Sequence, residues 1–195
     1  MRSFNPKFLA LCLTMGLASF AAQSYAQNKP EQCADHGKNK ATHANHHQQP
    51  CTALPTEMSS WKAPIAISAA KTGAELSQSV VEINKAVQAT LFPSKTVQFV
   101  VAPEERGGSV SFAGMIQFDV PTPGTYRVTT DSRPWVEMVK DGKAIDSIKH
   151  QHGAQCLGME KILDFPLSAG RHTMEFTANG KETIKFIIVP VSSSK

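Results

Sequence analysis

Two groups of residues in this chain have the chemistry of metal ligands. Cys33, His36, His43, His46, His47 and Cys51 fall within nineteen residues near the N-terminus, and His150-Gln151-His152 is followed closely by Cys156. Thiolates and neutral imidazoles are the ligands that zinc and copper prefer. In a strand, residues two apart share a face with Cα atoms about 6.6 Å apart, so His150 and His152 can grip one ion. A straight strand would carry Cys156 about 20 Å from His150. The chain must therefore bend at Gly153 or Gly158 for the thiol to join. Three such ligands leave a fourth position for water, a methionine or a leader histidine. The competing reading is a polar loop with solvated histidines and a cysteine that is buried or disulfide-bonded.

The leader spacing, Cys33-x2-His36-x6-His43-x2-His46-His47-x3-Cys51, fits no closed zinc module. Histidine-rich tracts of this kind bind Zn²⁺, Cu²⁺ or Ni²⁺ in several alternative arrangements, or serve as solvated linkers. His172 reads as an ordinary strand residue and Trp135 as a core anchor. Trp61 suits either a cap on the fold or a platform for a sugar. Met58, Met115, Met138, Met159 and Met174 read as strand gap-fillers. No G-x-S-x-G nucleophile elbow is present.

The elements that must position these ligands begin after an export segment. Arg2 and Lys7 precede an apolar run, Phe8 to Phe20, and Ser24-Tyr25-Ala26 offers small-x-small cleavage before Gln27. The apolar run is too short to span a bilayer, which takes about 20 residues. Leu11 before Cys12 argues against lipidation there. The expected product is periplasmic or secreted, without a membrane span. Removing Arg2 and Lys7 from the 20 basic residues leaves 18 against 16 acidic. So slight and scattered an excess excludes a nucleic-acid-binding face. Cys33, Cys51 and Cys156 remain, an odd number, so an oxidising compartment leaves one thiol free, paired between chains or on a metal.

Residues 27–60 are polar, with no apolar periodicity, and read as a flexible His/Cys-rich leader. Residues 61–191 read as one domain and 192–195 as a frayed tail. Residues 63–67 suit an edge strand. Thr72-Gly73-Ala74-Glu75 has capping-box spacing, yet Val80 and Val81 favour strand, so 73–88 stays open between helix and strand. From Ala86 on, short apolar or alternating runs lie at 86–91, 96–101, 110–120, 126–130, 135–139, 144–148, 159–167, 172–176 and 183–189. Pro123-Gly124 suits a type II turn, and Asp141-Gly142 and Asn179-Gly180 suit hairpins. This pattern predicts an all-β, antiparallel, jelly-roll-like sandwich. Phe118-Asp119-Val120 through Gly124 to Tyr126 is echoed by Phe165-Pro166-Leu167 through Gly170 to His172, a unit of architecture rather than of binding.

The segments Gly124-Thr125-Tyr126-Arg127-Val128, Trp135 to Gly142, His150-Gln151-His152, Cys156 to Lys161 and Phe165 to Gly170 carry a resemblance. On them the chain resembles a family of small exported proteobacterial β-sandwich proteins of unassigned role, and its architecture is similar to prepeptidase C-terminal-type jelly rolls. Members of the family are sometimes labelled homogentisate 1,2-dioxygenase, which would imply a cupin-like iron enzyme. The residues argue otherwise. A cupin motif wants Glu where Cys156 stands, and Pro166, Gly170 and His172 match the second motif only loosely.

The sequence thus predicts an exported binding protein that sequesters or hands on zinc or copper, and leans away from an enzyme. Its domain ligands would be His150, His152 and Cys156, with Cys33, His36, His43, His46, His47 and Cys51 in the leader. The alternative is an envelope module that binds a glycan or a protein. A third reading, an iron oxygenase, would use His150, His152 and His172.

Overall fold

The computed structural model describes residues 53–192. The expected export segment, the expected leader ligands Cys33, His36, His43, His46, His47 and Cys51, and residues 193–195 lie outside the described residues. The strands are β1 (Ile65–Ser68), β2 (Val80–Val81), β3 (Val87–Thr90), β4 (Phe92–Pro93), β5 (Phe112–Val120) and β6 (Gly124–Thr130). They continue as β7 (Trp135–Lys140), β8 (Lys143–Ile145), β9 (Lys149–His152), β10 (Lys161–Leu167), β11 (Gly170–Asn179) and β12 (Thr183–Pro190).

Two sheets form the sandwich. The first runs β1-β3-β12-β6-β10-β9 and the second β2-β5-β11-β7-β8, with β4 beside β5. From β3 to β12 the chain passes repeatedly from one sheet to the other, leaving β3-β12-β6-β10 stacked on β5-β11-β7-β8, the strand order of a jelly roll. Most ladders are antiparallel, as the alternating runs predict. The β1–β3 and β2–β5 pairs are parallel, so both sheets are mixed.

Three apolar clusters explain why the long strands read as nearly continuous apolar runs. Ile116, Phe118, Met138, Met174, Phe176 and Phe186 meet between the sheets. On the outside of the first sheet, Ile187 and Val189 of β12 pack with Met58, Trp61 and Met159. On the outside of the second, Ala113 and Met115 of β5 lie under Leu76 and Val97. A strand covered on both faces loses its alternation.

Several expectations change. Residues 96–101 form no strand; Val97 is buried beneath an irregular segment that caps the second sheet. The open stretch 73–88 is a 3₁₀ turn, Gly73–Gln78, followed by β2. The folded part begins before residue 61, where the leader was expected to end, because Thr56–Lys62 is a 3₁₀ turn that buries Met58 and Trp61 against β12. Asp141 and Gly142 both have positive φ, as the β7–β8 hairpin requires. Asn179-Gly180 makes no hairpin, since β11 and β12 lie in different sheets. Gly124 lacks the positive φ of a type II turn. The sequence echo is a corner used twice, once from β5 to β6 and once from β10 to β11. In each, the ring reaches back to the turn: the Tyr126 hydroxyl donates to the Thr122 carbonyl at 2.9 Å, and His172 Nδ1 lies 3.0 Å from the Gly170 carbonyl.

Candidate functional site

Strand β9 is the outer edge of the first sheet and pairs with β10 alone. His150 stands opposite Leu163 and His152 opposite Lys161, so both imidazoles project on one face. Both are exposed, and their ring centroids are 6.4 Å apart with the planes tilted by 55°. A Zn–N bond of about 2 Å sets each ring centroid roughly 3.2 Å from a shared ion, so a tetrahedral chelate needs centroids about 5 Å apart. A side-chain movement on the order of 1 Å therefore closes the pair on an ion.

The electrostatics permit a cation there. Lys161, directly across from His152, turns its ammonium away, donating to the Pro134 carbonyl at 2.7 Å and lying 5.8 Å from the Trp135 ring centre. Burial lowers its pKa. Lys149, His150 and His152 also fit a purely structural role, since charged or polar side chains on an edge strand discourage pairing with another sheet.

The chain leaves β9 by the predicted bend. A Cβ on Gly153 would meet the Met159 backbone at 2.6 Å, so only glycine allows the approach. The 3₁₀ turn Gln155–Leu157 follows and ends at Gly158 in the left-handed region, φ 68°. The turn does not bring Cys156 into a ligand set. Among the described residues no group of three or more His, Cys, Asp or Glu could hold a metal ion. The Cys156 sulfur is, moreover, already engaged. His150 and His152 are thus an exposed pair of imidazoles on one face of β9, and the expected triad with Cys156 is not assembled.

His172 is no part of this site. It lies on β11 in the other sheet, 1% exposed and stacked on Phe118 at 5.8 Å. Burial lowers its pKa and holds it neutral. The oxygenase triad of His150, His152 and His172 is not brought together.

Trp61 takes the first of its two expected places, a cap on the fold, whereas Trp135 departs from the core position expected of it. Trp61 is 2% exposed, donates its Nε1–H to the Leu157 carbonyl at 2.9 Å and carries the Lys185 ammonium over its ring at 4.4 Å. It is a structural cap with no face open to a sugar. Trp135 is 38% exposed instead of buried. Its Nε1–H donates to Glu137 Oε1 at 2.7 Å, an acceptor also used by the Glu104 amide. Beside it is a cavity of about 310 Å³, formed where β8 ends and lined by Glu104, Glu137, Asp146, Ser147 and Phe165 among others.

Next to Glu137 across the ladder, Glu175 is fully buried. Its Oε1 accepts from the Val100 and Val101 amides at 2.8 and 3.2 Å, while Oε2 has no hydrogen-bond partner among the described residues. Burial raises its pKa, and the neighbouring Glu137 charge adds to the effect. Neither glutamate stands out in sequence, although each leaves a signal. Trp135-x-Glu137 has the strand spacing that joins an indole N–H to a carboxylate, and Glu175 interrupts the apolar Met174–Phe176 run. No protein-family model matches the chain, and no curated protein is similar enough to be reported as a relative.

Proposed function

We propose that this is an exported metal-binding protein that sequesters or hands on zinc or copper, with His150 and His152 as its domain ligands. The observation that supports this reading is the exposed pair of imidazoles on one face of β9, 6.4 Å apart. A strand holds such a pair in register, so little conformational entropy is lost when an ion arrives. The two imidazoles leave coordination positions open, which suits an ion held for transfer better than one locked into the fold. The test is titration of the mature protein with Zn²⁺ and Cu⁺ beside a His150→Ala/His152→Ala variant. The variant should lose the tightest site; equal affinity in the two proteins refutes the assignment.

The exposure of Trp135 in its cavity favours a second reading, an envelope module that binds a glycan or protein segment there. Quenching of Trp135 emission by oligosaccharides, lost in Trp135→Ala while Trp61 still reports, supports it. No quenching across a panel of neutral and acidic oligosaccharides removes the glycan form.

A further inference from the structure

We propose that the cavity beside Trp135 binds an alkylammonium ligand with two or more amino groups, a polyamine. This rests on the second reading above, that the cavity is a binding site, and names the ligand class it takes.

The cavity lies where the second sheet is incomplete. Strand β8 covers β7 only from Met138 to Lys140, so the β7 edge at 135–137 has no strand partner on that side. Val136 and Phe165 give the cavity a buried apolar floor. Glu104 and Asp146 are exposed at its mouth, and Glu137 is half-buried in its wall. Three carboxylates thus line a space of about 310 Å³, with no basic side chain among the lining residues. A cleft lined by one sign of charge, with apolar walls, concentrates ligands of the opposite sign.

The hydrogen bonding points to an ammonium group. Glu137 accepts the Trp135 Nε1–H at 2.7 Å and the Glu104 amide at 3.3 Å, both at Oε1. These bonds fix the carboxylate and leave Oε2 without a donor among the described residues. Across the ladder, Glu175 is fully buried, and its Oε2 likewise has no partner there. An ammonium on Glu137 Oε2 supplies the missing donor, and its charge favours the buried Glu175 carboxylate nearby. The Trp135 ring attracts such a group, as Lys161 shows from outside the cavity, 5.8 Å from the ring centre. The carboxylates are not grouped tightly enough to hold one metal ion. An alkyl chain with an ammonium at each end answers both features, laying its methylenes on Val136 and Phe165 and its charges at the carboxylates.

The experiment is calorimetric titration of the protein with spermidine, a capped trilysine peptide and a neutral oligosaccharide. Spermidine should bind, and Glu137→Gln and Asp146→Asn should each weaken it about tenfold, the loss of one charge-assisted hydrogen bond. Glu82→Gln, next to β2 at the opposite edge of the sheet, should bind as wild type. No binding of spermidine, or equal affinity in all four proteins, overturns the proposal. Binding of the peptide or the oligosaccharide in place of spermidine overturns the ligand class and leaves the cavity reading standing. Silence from all three refutes the cavity reading as well.

Discussion

Truncating each tryptophan to alanine separates the structural cap from the exposed site. Trp61 is 2% exposed, so the fold removes on the order of 200 Å² of its surface from water, about 5 kcal/mol at 25 cal/mol/Å². A compact unfolded chain hides part of that area already, which brings the figure to about 3–4 kcal/mol. Trp61→Ala also leaves the Leu157 carbonyl without its donor and opens a cavity against Met58 and Met159. These terms restore a loss of about 4 kcal/mol, within the range measured for large aromatic truncations. Trp135→Ala differs. The ring is 38% exposed, its bond to Glu137 is at the surface, and water fills the space it leaves. That loss should be about 1 kcal/mol. Urea unfolding followed by far-UV circular dichroism reads both variants without relying on the indole signal, and the two slopes should match wild type. A Trp61→Ala loss below 1 kcal/mol, or a Trp135→Ala loss above 3 kcal/mol, would refute the assignment of Trp61 as buried cap and Trp135 as exposed ring.

Two buried ionisable groups predict opposite pH slopes. His172 has a folded pKa held below its unfolded value near 6.5, chiefly by burial, so below that pH the unfolded chain takes up the proton more readily and stability falls. His172→Gln should flatten the stability profile between about pH 5 and 7, and an unchanged slope there would count against a buried neutral imidazole. Glu175 has a folded pKa raised above 4.5, so its contribution is present in acid and is lost as pH rises through the folded value. Glu175→Gln keeps an acceptor for Val100 and Val101 and removes the buried charge, so it should gain stability on the alkaline side relative to pH 4. Thermal melts at both pH values check this, and equal effects at the two would refute it.

Much of the fold was legible because strand signals are local. Alternation, β-branched runs and glycine turns marked β5, β6, β7, β10, β11 and β12, and the H-x-H spacing marked the face that His150 and His152 share. The misread segments failed for a common reason. Val97 and Phe99 have the apolar spacing of a strand, but they bury their side chains from an irregular segment whose backbone joins no ladder. Asn179-Gly180 has hairpin chemistry, yet the turn delivers the chain to the opposite sheet. Turn residues set a local bend and carry no information about the destination of the next strand.

By itself the sequence determined the residue types able to ligate a metal, the two-residue period that aligns one pair of them, and the all-β class. Each follows from covalent geometry and from interactions over a few neighbours. Only the tertiary structure decided which tryptophan is buried, because period two assigns a residue to a face and says nothing about what covers that face. Trp61 is covered by its own turn folding onto β12, whereas Trp135 lies beyond the end of the three-residue strand β8. The tertiary structure likewise separated His172 from His150 and His152, since the chain crosses from the first sheet to the second between β10 and β11.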